Sequence, residues 1–230
     1  MDSDAAPIDA VLVDSGGVLL LPDPEAMRRT LAPLGVRPDD VTCRRAHYAG
    51  MRAVDRLGTP DWPEVDRVVA SEAGVAPDRL DEAVGPISDL YRQDPWVAID
   101  GAAHALVTLQ HAGYPLAVVS NAEGTMEAQL AQHRICAVEG GEVAEVAVVI
   151  DSAVVGIEKP DPGIFTFALE AIDVDPARCV YLGDSVYFDV GGARAAGLQP
   201  MHVDPFELCD TPHDHPHVAS LAAFAQALLA

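Results

Sequence analysis

The polar residues that directly follow the apolar runs of this sequence are the first candidates for chemistry. In an open parallel sheet, ligands bind outside the carboxyl ends of the strands, so polar residues at those positions would share one crevice. Carboxylates, hydroxyls and ammonium groups placed there can attack a substrate, bind it or exchange protons with it. The residues at these positions are Asp14, Ser120, Asn121, Gly183, Asp184 and Ser185, with Asp189 five residues beyond Asp184.

Lys159 is the only lysine in the chain, and the other residues in the Lys+Arg count are all arginines. It lies in the segment GIEKPDP, close to the start of a predicted helix. An ammonium group is compact, whereas a guanidinium is planar and has a different reach. A sequence that uses arginine elsewhere but keeps one lysine here indicates a functional need for the ammonium. The alternative is a solvated surface lysine.

The elements that would position these residues alternate between strands and helices. The apolar run at 8–13, followed at once by DSGG, predicts a buried parallel strand that ends at Asp14. From about residue 22 to 95 the pattern is helical and broken by Pro and Gly, which predicts an all-helical insert. The remaining alternation predicts an α/β fold with a Rossmann-like parallel sheet covered by helices on both faces. Further strands are predicted at 115–119, 145–150, 178–182 and 199–203, and helices at 24–34, 38–57, 62–73, 77–92, 101–113, 161–172 and 187–197, with one more starting near 124.

Four segments, in this order and with this spacing, resemble the motifs of the haloacid-dehalogenase-like hydrolase superfamily. They are VLVDSGGVL, VVSNA, GIEKPDP and YLGDSVYFD. The resemblance covers essentially the whole chain and includes a helical cap between the first and second motifs. It implies a core domain at 1–19 and 97–230 and a cap domain at 20–96.

The resemblance also implies an activity, which is Mg²⁺-dependent hydrolysis of a small phosphorylated metabolite through an aspartyl-phosphate intermediate. Phosphoryl transfer needs an in-line nucleophile, charge neutralisation on the phosphoryl oxygens and a metal, and the motifs hold suitable residues for each. The implied catalytic residues are Asp14 as nucleophile, Ser120 and Lys159; the implied substrate-binding residues are Ser120, Asn121 and Lys159; the implied magnesium ligands are Asp14, Asp184, the backbone carbonyl of Gly16, and Asp189 directly or through water.

Gly16 departs from the family pattern. Most phosphatases of the family carry a second aspartate there, which protonates the leaving oxygen and later activates water. Because proton transfer supplies about 10²–10⁴-fold of rate, the departure predicts a slower or more specialised phosphatase. The alternative is a phosphoryl-ligand binding or regulatory protein without turnover. Dehalogenation is less favoured, since dehalogenases of this group resemble D-x-Y-G at the first motif and lack the aspartate that Asp184 provides here.

Composition excludes several other classes. The 230 residues carry 14 Lys+Arg and 36 Asp+Glu, a net charge of −22 that repels nucleic acid and acidic membrane surfaces. No apolar run approaches the roughly 20 residues that span a bilayer, and the first residues lack a basic signal-peptide region. We therefore expect a cytoplasmic protein that binds neither nucleic acid nor membrane, while the resemblance implies a small phosphorylated substrate as its partner. The oligomeric state stays open. The four cysteines show no disulfide or zinc-site spacing.

Two further groups leave alternatives open. On a helix at 38–57, three arginines fall near one face and would either meet an anionic substrate group or pair with nearby acids in solvent. At 213–217 the sequence HDHPH would be either a metal site or a surface loop, and the prolines at 212 and 216 favour the loop. The arginines are Arg45, Arg52 and Arg56, the acids Asp39, Asp40 and Asp55, and the histidines His213, His215 and His217.

Overall fold

A computed structural model describes residues 6–93, 96–211 and 214–230 of the chain. Its strands are β1 (Ala10–Val13), β2 (Leu20–Pro22), β3 (Trp96–Ala98), β4 (Leu116–Ser120), β5 (Cys136–Ala137), β6 (Ala144–Glu145), β7 (Val149–Asp151), β8 (Cys179–Gly183), β9 (Gln199–Val203) and β10 (His217–Val218). Its α-helices are α1 (Pro24–Leu31), α2 (Asp40–Leu57), α3 (Trp62–Glu72), α4 (Leu80–Ala83), α5 (Pro86–Arg92), α6 (Ala102–His111), α7 (Met126–Gln132), α8 (Ser152–Val155), α9 (Gly163–Ile172), α10 (Gly191–Ala195) and α11 (Leu221–Leu228).

The chain divides into two compact units. The core unit comprises Met1–Leu19, Ala98–Pro205 and Pro212–Ala230, and the helical unit comprises Leu20–Val97 and Phe206–Thr211. The short segment 206–211 thus groups with the helices, whereas the sequence analysis places it in the core. Two contacts account for this grouping: Arg52 donates a 2.6 Å hydrogen bond to Asp210, and the ring of Phe206 lies 5.8 Å from that of Tyr48.

The core unit is built on a six-stranded sheet with the order β10-β9-β8-β1-β4-β7. All its strand pairs are parallel. After β1 the chain adds β4 and β7 on one side, then returns to add β8, β9 and β10 on the other. The order therefore reverses at β1, and the carboxyl ends of β1 and β8 flank the switch point where α/β sheets bind ligands.

The sheet is buried on both faces, as continuous apolar strands require. All four residues of β1 are buried, and alternate side chains of the strands enter a cluster with Ile164 and Phe165 of α9. The other helices that contact the sheet include α6, which packs against β4 and α11. The predicted α/β fold with a Rossmann-like parallel core is confirmed.

The helical unit holds α1 to α5, and local signals explain its helix ends. The Asp39 side chain caps α2 by accepting a 2.8 Å hydrogen bond from the Thr42 amide, and Gly58 ends that helix in the left-handed conformation at φ 64°. Gly50 allows close packing of α2 on α3, because a Cβ there would lie 2.8 Å from Val69 Cγ2.

The three arginines on α2 take part in ion pairs within the helical unit. Arg45 pairs with Glu72, and Arg52 pairs with Asp210 at 2.6 Å, while Arg56 lies 3.8 Å from the same carboxylate. Such partly exposed pairs contribute about 0–1 kcal/mol each. They agree with the interpretation of a solvated face, but the partners seen are Glu72 and Asp210. Two of the predicted partners have other roles, since Asp40 pairs with Arg28 at 2.7 Å and Asp39 caps α2.

Some predicted elements are divided in the structure. The helix expected at 77–92 is split into a 3₁₀ turn, α4 and α5, because Gly85 adopts φ 88° before Pro86. The strand expected at 145–150 is wrong as one element: Glu145 belongs to β6, which pairs with β5, whereas β7 starts at Val149 in the main sheet. Strand β10 was not predicted, since two residues carry no periodic signal.

The described residues bear on two expectations from composition, which concern membrane-spanning helices and the state of the cysteines. Across 6–93, 96–211 and 214–230, none of the helices has the length and apolar character needed to cross a bilayer. Cys43, Cys136, Cys179 and Cys209 are free thiols. Burial raises the pKa of the Cys136 thiol to about 12, so this group is unreactive.

Candidate active site

The Lys159 ammonium is the centre of a buried polar cluster in the core unit. Its side chain is 2% exposed, and Nζ lies 2.9 Å from Asp14 Oδ1, 2.7 Å from Asp189 Oδ1 and 2.9 Å from the Tyr181 hydroxyl. Three N–H donors thus meet three oxygen acceptors, which fully satisfies the ammonium. The surface alternative for Lys159 is wrong, because a solvated lysine would not be enclosed by two carboxylates.

Three buried carboxylates meet beside this ammonium. Asp14 follows β1, Asp184 follows β8, and Asp189 lies in the π-helical turn Val186–Val190. One oxygen from each carboxylate lies within 4.8 Å of the others. With all groups ionised, three carboxylates and one ammonium leave a net charge of −2 in a buried pocket. A divalent cation would neutralise that charge.

The titration of Asp14 reflects this crowding. Burial raises the pKa of Asp14 to about 7, the Lys159 ammonium opposes the shift, and the charges of Asp189 and Asp184 add to it. Burial acts to lower the pKa of Lys159, but Asp14 and Asp189 outweigh it, and the net shift is upward. Lys159 therefore stays charged, whereas Asp14 needs a further positive charge to be fully ionised at neutral pH.

Two glycines let the backbone approach the carboxylates closely. Gly17 adopts φ 67°, and a Cβ there would overlap the Asp184 carboxylate; a Cβ at Gly183 would overlap Asp189. The acids are thus packed directly against main chain that carries no side chain. Because every donor is a carboxylate oxygen, the site fits a hard cation such as Mg²⁺.

Ser120 and Asn121 join the cluster from the end of β4. The Ser120 hydroxyl shares a 2.6 Å hydrogen bond with that of Ser15, the residue next to Asp14. The Asn121 side chain donates to the Lys159 carbonyl at 3.0 Å and accepts from the Lys159 amide at 2.7 Å. Asn121 therefore positions the backbone of Lys159, and direct contact with a substrate stays a prediction.

Most of the predicted site residues lie in the carboxylate and ammonium cluster or are separated from it by one intervening residue. Asp14, Lys159, Asp184 and Asp189 form the cluster itself, whereas Ser120 reaches it through Ser15. Gly16 lies two residues after Asp14 and is partly exposed.

Three residues of the site were missed by the sequence analysis. Tyr181 accepts from Lys159 and donates a 2.8 Å hydrogen bond to the Val119 carbonyl; burial, Asp14 and Asp189 raise its pKa, so the phenol stays protonated. Asp151, at the end of β7, accepts from the Gly124 and Met126 amides and so fixes the loop after Asn121. The third is Ser15. A tyrosine inside an apolar strand and an acid directly after one were the available signals.

Residues 8–197 match the sequence model of a protein family, which is described as "haloacid dehalogenase-like hydrolase". A solved HAD phosphatase from Thermococcus onnurineus superposes with a TM-score of 0.57 at 21% sequence identity, covering 96% of this chain and 98% of that one. At this identity the superposition shows a shared fold.

Curated relatives match part of the sequence. Haloacid dehalogenase-like hydrolase domain-containing protein 3 of Bos taurus is 32% identical over 166 residues, which is 67% of this chain and 62% of that protein. Phosphoserine phosphatase of Thermus thermophilus is 33% identical over 155 residues, which is 67% of this chain and 59% of that protein. The chain thus spans about three fifths of the length of these two relatives.

Proposed function

The chain belongs to the haloacid dehalogenase-like hydrolase family, and on this premise we propose that it is a magnesium-dependent phosphatase of a small phosphorylated metabolite. The observation that carries the proposal is the buried group of three carboxylates and one ammonium at the switch point of the sheet. Its net charge of −2 suits a divalent cation, and a cation together with Lys159 suits a phosphoryl group.

Asp14 is the proposed nucleophile. Its carboxylate attacks phosphorus, the bond from phosphorus to the leaving oxygen breaks, and the product is an aspartyl-phosphate that water then hydrolyses. Its Oδ1 is held by the Ser15 amide at 2.7 Å and by Lys159 at 2.9 Å, which leaves Oδ2 for the attack. Lys159 compensates the charge of both the nucleophile and the phosphoryl oxygens.

The proposed magnesium ligands are Asp14, Asp184 and the backbone carbonyl of Gly16. When bound, the ion supplies positive charge that keeps Asp14 ionised and offsets the charge of the phosphate. Asp189 accepts a hydrogen bond from Lys159 through Oδ1 at 2.7 Å and another from the Ser185 amide through Oδ2 at 2.9 Å. These two contacts favour a ligating role through water rather than a direct one.

Ser120 is the proposed hydrogen-bond donor to a phosphoryl oxygen. In the structure its hydroxyl is paired with that of Ser15, and this pair is the group that a bound phosphate would replace. Asn121 holds the Lys159 backbone on the same side of the site. The proposed cap domain is the helical segment 20–96.

Gly16 predicts how the rate depends on the leaving group. Glycine has no side chain that could protonate the leaving oxygen, so substrates whose leaving group needs no proton are favoured. We expect kcat/KM for aryl and acyl phosphates to exceed that for alkyl phosphates of similar size by at least about tenfold. Equal values across a series of leaving groups with different pKa would contradict this prediction and would indicate another acid.

The function is tested by a panel of phosphate esters, with O-phosphoserine among them because one relative carries that activity. Metal-stripped protein is assayed for phosphate release with Mg²⁺ and with EDTA. We expect release from at least one ester with Mg²⁺ and a loss of release with EDTA. Mg²⁺ and phosphate binding without turnover across the panel would instead support the binding or regulatory alternative, which the absence of an acid at Gly16 favours.

A further inference from the structure

Three histidine rings form a second cluster in the core unit. His202 and His217 are paired neighbours on β9 and β10, and His215 lies just before β10. Their ring centroids are 4.7 to 5.3 Å apart, and one ring nitrogen from each lies within 4.8 Å of the others. His202 and His215 are buried, so the cluster is largely removed from water. His213 lies outside the described residues.

Each ring has an inner nitrogen, which points toward the other two rings, and an outer nitrogen, which points away from them. Each outer nitrogen faces an oxygen that can only accept a hydrogen bond. A neutral imidazole carries one N–H, so a ring that donates outward keeps a lone pair on its inner nitrogen. This carboxylate–histidine arrangement is the one that orients histidines toward metals in proteins. Two of these contacts are hydrogen bonds, from His202 Nε2 to the Asp184 carbonyl at 3.3 Å and from His215 Nδ1 to Asp214 Oδ1 at 3.0 Å. The third is a longer electrostatic contact, between His217 Nδ1 and Asp204 Oδ2 at 3.6 Å.

The inner nitrogens of two of these rings are very close. His202 Nδ1 and His215 Nε2 are 3.3 Å apart. If one ring donates inward, the two nitrogens form an N–H···N hydrogen bond, but that neutral ring then has no proton for its outer oxygen partner. If both rings donate outward, two lone pairs face each other and repel unless a cation lies between them. With Zn–N bonds of about 2.0–2.1 Å, two ligands on a tetrahedral zinc ion are roughly 3.3–3.4 Å apart. The observed distance therefore fits one edge of a zinc site with little movement.

A shared proton is the alternative cation, and the metal titration described below separates the two. The Asp214 carboxylate that faces His215 is itself held by Arg194 at 3.0 Å. Part of its negative charge is therefore already compensated without a proton on His215, while its contact with Nδ1 still orients the ring.

We propose that His202, His215 and His217 bind a Zn²⁺ ion at a site separate from the carboxylate cluster. Imidazole nitrogens suit zinc, whereas the three aspartates suit a hard cation, so the two sites select different metals. Three histidines leave a fourth position for water or another ligand. Because His202 contacts the Asp184 carbonyl, the zinc ion would also stabilise the chain segment that positions Asp184.

The test is a Zn²⁺ titration of the metal-stripped full chain in excess Mg²⁺, followed by calorimetry, metal analysis and thermal unfolding. We expect one zinc per chain, a higher Tm with zinc, and a Co²⁺ absorption spectrum typical of tetrahedral nitrogen coordination. His202→Gln and His215→Gln should weaken zinc binding by at least about 100-fold. The matched control is His111→Ala, which removes an exposed histidine from the end of α6 and should bind as the unmodified protein does.

Other variants separate this proposal from the proposed phosphatase activity. Asp14→Asn should keep zinc binding unchanged even if phosphate release is lost. Zinc binding that survives both glutamine variants, or that disappears in Asp14→Asn, would place the ion elsewhere and overturn the proposal. So would a metal-stripped chain that binds no zinc, whatever its phosphatase activity. If the glutamine variants do not fold, the Co²⁺ spectrum of the unmodified chain decides the question.

Discussion

Replacing Asp14 by asparagine is expected to lower kcat/KM for phosphate release on the order of 10⁴–10⁶-fold, as loss of a covalent nucleophile or its base does in other enzymes. An amide oxygen is a poor nucleophile, and an asparagine has nearly the same shape as the aspartate it replaces. The comparison is made with the best ester of the panel at saturating Mg²⁺. A rate in Asp14→Asn close to that of the unmodified chain would reject Asp14 as the nucleophile.

Misfolding would be a trivial cause of such a loss, and the pKa of Asp14 provides the control. In the folded chain this pKa is raised to about 7 from 3.8, so folding is favoured by protonation of Asp14 and that stability is lost as pH rises from about 4 through 7. Asparagine does not ionise and escapes this loss. Without metal at pH 8, we expect Asp14→Asn to increase the free energy of unfolding by about 1–3 kcal/mol.

Urea unfolding at pH 8 and pH 4 measures this difference, which should vanish at the lower pH. The matched variant is Glu127→Gln, which removes one exposed carboxylate from α7 and should leave activity unchanged. If Asp14→Asn proved less stable than the unmodified chain in metal-free buffer at pH 8, the loss of activity would no longer identify the nucleophile.

The sequence predicts those site residues whose positions depend only on the order of the strands and on where each strand ends. Asp14 and Asp184 directly follow apolar runs, and parallel strands bring their carboxyl ends to one edge. Lys159 was detectable through its uniqueness, and its burial between two acids explains why a compact ammonium is kept there. The core strands were predictable because burial on both faces requires continuous apolar runs.

Other features depend on contacts that no local pattern carries. Tyr181 contacts Lys159 because its side chain points to that face of the sheet. The residues before and after it in β8 are apolar, so the sequence does not indicate which face a residue of this strand occupies. His202 is thirteen residues from His215 and meets it only because β10 pairs with β9. The short strands β6 and β7 belong to different sheets although one apolar run contains both. In each case long-range pairing decides what local sequence leaves open.

Replacing Lys159 by methionine is expected to affect both folding and chemistry. Removing one partner of a buried ion pair leaves uncompensated charge and costs about 3–5 kcal/mol of stability, here at Asp14 and Asp189. Phosphate release should fall about 10²–10³-fold, as it does when one preorganised group that stabilises charge is lost. Urea unfolding and steady-state kinetics measure the two effects. The control is Arg134→Met, because Arg134 forms an exposed pair with Glu142 and should contribute at most about 1 kcal/mol.

A double variant separates the two roles of this ammonium. Lys159→Met combined with Asp189→Asn removes both members of the pair that is 2.7 Å apart, so part of the lost stability should return. Activity should not return with it, because the ammonium that shares with the metal ion in compensating the charge of Asp14 and of the phosphoryl group is then missing. Recovery of both quantities would mean that Lys159 only balances Asp189 and takes no part in phosphoryl transfer. We expect recovery of stability alone. That result would assign the contact of Lys159 with Asp189 to folding and its contact with Asp14 to catalysis.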